Sequence, residues 1–236
     1  GLGDVYKRQT QTTSGSYLLI SSLDIARKNL ALNGKEIYRK AAAFADYARN
    51  EINRLGGYYA FGEELIDGKA FFDFDRTKLS VHTRDIGLAG IEVYDILRDE
   101  YNIQIEFGDI GNILAIISAG DRALEIERLI SSMSEIKRLY AKNKAGMFDH
   151  EYINPEVVMP PQAAFYSKKA SIPINESSGK ICGEFVMCYP PGIPILAPGE
   201  KITDEIIRYI NYAKEKGCFM TGTQDMKIEN INIVKN

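Results

Sequence analysis

The chain has 236 residues, 45% of them hydrophobic, with 29 basic and 32 acidic side chains and a formal charge of −3. That length admits one large domain or two small ones, and that composition supports a buried core. The near-balance of charge excludes a nucleic-acid footprint and a polybasic membrane patch, and no apolar run reaches membrane-spanning length. The N-terminus shows no signal-peptide pattern. Three cysteines, Cys182, Cys188 and Cys218, lack CxxC spacing and read as reduced cytoplasmic thiols. Two histidines, His82 and His150, are too few for a histidine-based metal site, so no metal is expected.

Residues 1–9, GLGDVYKRQ, fit no periodic pattern and are set aside as a non-native or frayed segment. From Tyr17 the apolar residues Leu19, Leu23, Ala26 and Leu30 recur at helical spacing, with Gly34 as a stop. A second helix follows from Lys35 to Leu55 on Ile37, Ala41, Phe44, Ala48 and Ile52, ending at Gly56-Gly57. Residues 10–55 therefore read as connecting helices. The rhythm then shortens. YYAFG, AFFDFD and KLSVHT read as strands, a helix runs over 88–101, and IQIEFG with NILAIIS reads as a strand pair. Asp121 is placed to cap a helix over 122–143. Residues 56–148 thus form a small α+β domain, a sheet with helices on one face.

Three prolines within Pro155 to Pro161 mark a boundary, and residues 149–236 form a second small α+β unit. ASIPI and GKICGEFVMCY read as strands. YPPGIPILAPGE, residues 189–200, holds four of the eight prolines and resists an ordinary strand. Pro190-Pro191 favours a polyproline-like course, Gly192 a sharp turn, and Pro194 and Pro198 fix the exit. Thr203 is a candidate N-cap, Asp204 and Glu205 suit the positive helix end, and Ile202 and Ile207 are spaced as a hydrophobic staple. CFMTG and IENINIVK close the chain as strands.

The residues suited to chemistry are few. Thr12, Thr13 and Ser14 precede a helix, where hydroxyls and free N–H groups can hold phosphate; plain capping explains them more simply. GDIGN, residues 108–112, lacks GxGxxG spacing and reads as a hairpin turn. His82, Arg84 and Asp85 stand together at a strand end, where Arg84 could grip a carboxylate, though a surface ion pair accounts for them more simply. Glu184 lies in an apolar strand, where a charge either faces solvent or meets a cationic ligand in a cleft. Neither a Ser-His-Asp set, nor HExxH, nor a carboxylate pair emerges.

ESSGKICGEFVMCYPPGIPILAPGE, residues 176–200, closely resembles the C-terminal hallmark of the Orn/Lys/Arg decarboxylases, the fold type I pyridoxal-phosphate enzymes. QTTSGSYLLISSLDIAR, residues 11–27, resembles the segment that follows the cofactor lysine in that family, and GIEVYDILRDEYNIQIEFGDIGNILAIISAGD its small domain. The resemblance runs from Gln11 to Asn236 and is closest to the bacterial biosynthetic arginine decarboxylases. It implies an aminotransferase-like small domain followed by the family's C-terminal domain, and decarboxylation of arginine to agmatine in polyamine biosynthesis. Lysine and ornithine are the alternatives within the class; a non-catalytic interaction or regulatory module, or an aminotransferase, stands outside it. It implies pyridoxal 5'-phosphate as cofactor, with Thr12, Thr13 and Ser14 near its phosphate, and Glu184 as a contact for a cationic substrate side chain. It also implies a homodimer or higher homo-oligomer. Two departures count: Gly15 stands where the family has proline, and no Ser-x-His-Lys motif supplies the Schiff-base lysine. The large cofactor-binding domain is therefore expected to be missing, and the chain alone to be inactive.

Overall fold

A computed structural model describes residues 15–143 and 154–235. Thr12, Thr13, Ser14 and His150 lie outside the described residues. The first element is a single helix, α1, Tyr17–Leu55, rather than the two helices expected. Gly34 lies inside it. A mid-helix glycine costs roughly 1 kcal/mol relative to alanine, too little to break a helix flanked by Ala31, Leu32, Lys35 and Glu36. The Asn33 side-chain amide donates to Asn29 Oδ1 at 2.9 Å across the turn before it. Tyr17, Leu18, Leu19, Leu23 and Ile25 on the first half are exposed, and α1 enters the core only with Ala41, Ala45, Ala48 and Ile52. Gly56 ends it as expected.

A four-stranded antiparallel sheet follows, in the order β1-β2-β4-β3. Its strands are β1 (Tyr59–Ala60), β2 (Lys78–His82), β3 (Phe107–Gly108) and β4 (Asn112–Ile116). Leu79 pairs with Ala115 and Val81 with Ile113 in register, so one face of both strands is buried. The helices α2, Gly90–Asp99, and α3, Ala123–Tyr140, close over that face with the second half of α1. Val93, Leu97, Met133, Ile136 and Ile52 meet Leu79 and Ile113 there. Each such side chain contributes roughly 1.5–3 kcal/mol on burial.

Two expectations in this unit fail for one reason. AFFDFD is not a strand. Asp67 Oδ1 accepts from the backbone N–H groups of Lys69, Ala70 and Phe71, and Asp75 Oδ1 from that of Thr77. Short carboxylates that bond nearby N–H groups take them away from a ladder. Phe74 instead packs edge-on against Phe61. Likewise Asp121 is not the cap of α3, because its Oδ2 accepts from Ser118 N at 2.6 Å and from Ser118 Oγ at 3.0 Å. Glu125 reaches back to the Arg122 N–H at 3.1 Å and does that work.

The start of α2 sits against the β3–β4 turn with no room for side chains. A Cβ on Gly90 would lie 1.9 Å from the Asn112 carbonyl oxygen, and one on Gly108 would lie 2.4 Å from that of Gly90. This backbone-to-backbone contact sets the angle at which α2 leaves the sheet.

The remaining elements are α4 (Pro161–Tyr166), β5 (Lys169–Pro173), β6 (Val186–Tyr189), β7 (Ile193–Leu196), α5 (Asp204–Glu215), β8 (Phe219–Thr221) and β9 (Asn230–Val234). β5 pairs with β9, and a three-stranded sheet has the order β7-β6-β8. GKICGEFVMCY is not one strand: Ile181 and Cys182 make isolated bridges, a bend at Glu184 follows, and only Val186–Tyr189 enters the sheet. Cys182 and Cys188 therefore do not share a strand. The polyproline course is also overturned. The Tyr189–Pro190 and Pro190–Pro191 peptide bonds are cis, Gly192 has φ 90°, and its N–H donates to Cys188 O at 2.8 Å. The segment is a tight hairpin turn. Pro194 is accommodated within β7 because β7 is an edge strand, where a missing N–H leaves no gap in a ladder.

The helix α5 forms as its sequence dictates. Thr203 Oγ1 accepts from the Ile206 N–H at 3.3 Å, and Ile206, Ile207, Ile210 and Ala213 are buried. Thr203→Ala is expected to lower stability by about 1 kcal/mol in a urea titration, the usual loss for an N-cap hydroxyl.

Candidate functional site

Glu184 is 9% exposed, and its carboxylate is fully engaged. Oε1 accepts from Asn232 N at 2.8 Å; Oε2 accepts from Gln224 N and from Asn232 Nδ2, both at 3.0 Å. The bend before β6 aims the side chain back across β9, so one charge holds the 222–229 loop against that strand. Asp225 complements it from inside the loop, accepting from the N–H groups of Lys227, Glu229 and Asn230. Those bonds hold the Asp225 carboxyl below its ordinary range. Glu184, Asp225, Gln224, Asn230, Asn232 and Ser171 line a cleft of about 250 Å³. Two carboxylates and three side-chain amides thus line it.

A second, larger cleft of about 500 Å³ lies at the proline hairpin. Tyr189, Pro190, Pro191 and Phe219 form one wall, and Tyr94, Asp95, Arg98, Glu106 and Phe107 the other. The Arg98 guanidinium lies 5.4 Å from the Tyr94 ring centre and pairs with Asp95 at 2.9 Å and Asp99 at 2.7 Å. Sequence reading missed this cleft. Its two walls lie about ninety residues apart in the chain and meet only because α2 packs beside the hairpin. The two clefts share no lining residue, so Glu184 and the proline hairpin are not brought together.

The other candidates resolve as turns. Asp109 Oδ1 accepts from the N–H groups of Gly111 and Asn112, which makes GDIGN the expected hairpin turn. His82 Nδ1 lies 3.2 Å from Asn112 Oδ1, its register partner across the sheet. Arg84 and Asp85 open a short 3₁₀ turn, Arg84–Ile86.

The two units are fastened by Glu92 on α2. Its Oε2 accepts from Ala89 N at 2.9 Å and from Lys216 Nζ at 3.2 Å, and Lys142 Nζ lies 3.5 Å from Oε1. Burial opposes ionisation of Glu92, but the Ala89 N–H and the Lys216 and Lys142 ammonium groups outweigh it and hold the carboxyl below its ordinary value. Around this latch, Ala89, Ile91 and Ile110 join the core built on Ile206 and Ile210. Glu92→Gln is expected to lower stability at neutral pH by roughly 0.5–1 kcal/mol, the range for a partly exposed pair. A depressed carboxyl stabilises above its unfolded pKa and ceases to as pH falls through the lower folded value. The gap between wild type and variant should therefore be constant above the unfolded value of 4.5 and close below it, read by denaturant midpoints against pH.

Residues 141–224 match the family described as Orn/Lys/Arg decarboxylase, C-terminal domain. The chain is 39% identical over 227 residues to an arginine decarboxylase of Bacillus subtilis (strain 168), covering 95% of this chain and 46% of that protein. It is 37% identical over 230 residues to an arginine decarboxylase of Halalkalibacterium halodurans, with the same coverage. Among solved structures it resembles the constitutive lysine decarboxylase of Escherichia coli, with TM-score 0.63 and 19% identity, over 97% of this chain and 45% of that one. The chain thus resembles the C-terminal portion of an Orn/Lys/Arg decarboxylase, and spans about half the length of the relatives it matches.

Neither the acidic cleft nor the hairpin cleft is lined by a lysine. The half-buried ammonium groups of Lys137, Lys214 and Lys216 are hydrogen-bonded to Leu55 O at 2.6 Å, Ile228 O at 3.2 Å and Glu92. None of the three presents a free amine in either cleft. Among the described residues no helix is long and apolar enough to cross a membrane, and no group of three or more potential ligands could hold a metal ion.

Proposed function

We propose that this chain is part of a pyridoxal-phosphate-dependent decarboxylase of basic amino acids that converts arginine to agmatine and carbon dioxide, a step of cytoplasmic polyamine biosynthesis. The observation that carries this is the similarity to two curated arginine decarboxylases over 95% of the chain. In this reading residues 10–55 connect the chain to a large cofactor-binding domain, 56–148 form the small domain and 149–236 the C-terminal domain. The large domain supplies the lysine that holds the cofactor, Thr12, Thr13 and Ser14 approach the cofactor phosphate, and the whole protein is a homodimer or larger homo-oligomer. The acidic cleft beneath Glu184 supports recognition of a cation. With three N–H groups already on its oxygens, Glu184 acts there by fixing the loop that carries Gln224 and Asp225, and by lending its charge to the cleft.

Lysine is the second reading, favoured by the fold shared with lysine decarboxylases. A non-catalytic module is the third. The whole protein should release carbon dioxide from arginine and be inactivated by borohydride trapping of the cofactor on a lysine outside this chain. The 236-residue chain alone should form no trappable bond with pyridoxal phosphate. Trapping on a lysine of this chain would overturn the assignment of the cofactor to another part of the protein, and a whole protein without decarboxylation would favour the module.

A further inference from the structure

The hairpin cleft has aromatic rings on both walls. Tyr189 and Phe219 are register partners across β6 and β8, and both are about half exposed, at 55% and 52%. Tyr94 on α2 and Phe107 on β3 belong to the opposite wall. The Tyr94 hydroxyl accepts from Gln104 Nε2 at 2.9 Å, which holds its ring in place. That wall already shows how a guanidinium is held there: the one of Arg98 lies 5.4 Å from the Tyr94 ring centre and pairs with Asp95. Glu106 lines the same cleft, is exposed, and has no ion pair among the described residues. Asp95 and Glu106 against Arg98 leave the lining one charge negative. A volume of about 500 Å³ is of the size that small ligands occupy.

We propose that the hairpin cleft is a second organic-cation site, separate from the acidic cleft beneath Glu184, and that it takes an alkylguanidine without a carboxylate. Agmatine is that ligand; this choice rests on the proposed decarboxylase function. The negative face of an aromatic ring attracts a cation, and a planar, weakly hydrated guanidinium stacks on it more readily than a compact ammonium. The prolines and Phe219 offer an apolar bed for the methylene chain, and Glu106 offers a free negative charge. The same lining disfavours the amino acid. Among the described lining residues Arg98 is the one cation, and its Nη1 and Nε are already on Asp95 and Asp99, at 2.9 and 2.7 Å. An α-carboxylate would meet Asp95 and Glu106 with no free cation beside it, so the cleft selects the amine over arginine.

The test uses the 236-residue chain, deuterated except at phenylalanine and tyrosine. Its aromatic protons are saturated, and transfer to the methylene protons of added agmatine is read by NMR. The described lining of the acidic cleft holds no aromatic residue, so agmatine bound only there gives no transfer. The expected result is clear transfer to agmatine that falls as salt is raised, with little to arginine or to neutral n-butylurea. Tyr189→Ala and Phe219→Ala should each weaken agmatine binding roughly two- to fivefold, the range for an exposed cation–π contact. No transfer, transfer to arginine or n-butylurea equal to that for agmatine, or unchanged affinity in both variants at wild-type circular dichroism would overturn the proposal. The comparison of the three ligands on the wild-type chain decides the chemistry without any variant. The measurement needs neither cofactor nor turnover, so its failure leaves the decarboxylase reading standing, and a failed decarboxylation assay leaves the measured binding standing.

Discussion

Glu184→Ala should lower the unfolding free energy of the chain by about 3–4 kcal/mol, because it strands three donors at once. The N–H groups of Gln224 and Asn232 and the Asn232 amide all end on this carboxylate. A hydrogen bond to a charged group contributes about 1.5–3 kcal/mol, and the bonds of one side chain are not additive. Glu184→Gln keeps one acceptor oxygen but turns an NH₂ toward N–H groups, so about 2 kcal/mol is expected. Urea midpoints of the two variants measure both. Equal, near-zero losses would show that solvent replaces the carboxylate freely. On the proposed decarboxylase reading, both variants should raise KM of the whole protein for a cationic substrate more than they lower kcat, since the cleft would lose its charge while that reading puts the cofactor lysine outside this chain.

Arg49→Met should be about as damaging, lowering stability by roughly 3–4 kcal/mol. Arg49 is 8% exposed and lies across the seam between α1 and the sheet. Its Nε donates to Phe61 O at 2.8 Å, Nη1 to Asp46 Oδ1 at 2.7 Å, and Nη2 to the carbonyls of Arg76 at 3.2 Å and Lys78 at 3.1 Å. The guanidinium also lies 5.1 Å from the Phe74 ring centre. Methionine keeps the apolar stem and removes every donor, leaving three carbonyls without this partner and Asp46 with Arg76 alone of its two arginines. Arg49→Lys should recover only a minor part, because one ammonium cannot serve four acceptors spread over a planar fork. Thermal unfolding of the three proteins tests this, and a lysine variant as stable as wild type would show that charge alone suffices.

What the sequence revealed follows the range of each interaction. Thr203, Ile202 and Ile207 are neighbours along the chain, and the cap and staple they announce form as read. The alternation in KLSVH and NILAI is likewise local, and it fixed which face of β2 and β4 is buried. Gly34 misled because its cost is small against the helical preference on either side. AFFDFD misled because Asp67 and Asp75 hold their own backbone in turns, which hydrophobic period does not register. Glu184 was visible as an anomaly, a charge in an apolar run, but its partners lie 40 and 48 residues away, so its role could not be read from its neighbours. The cleft between Tyr94 and Tyr189 had no local signal at all. It is made by the close passage of Gly90 over the β3–β4 turn and by the Glu92–Lys216 latch.

The proposal that the whole protein is an arginine decarboxylase is tested most directly by competition. Purified whole protein is given equal arginine, lysine and ornithine with pyridoxal phosphate, and the amines formed are quantified with the carbon dioxide released. Agmatine as the main product, in a one-to-one ratio with carbon dioxide, is the predicted result. Cadaverine or putrescine in excess would move the assignment to lysine or ornithine, and amine without carbon dioxide, or neither, would contradict the decarboxylase reading itself.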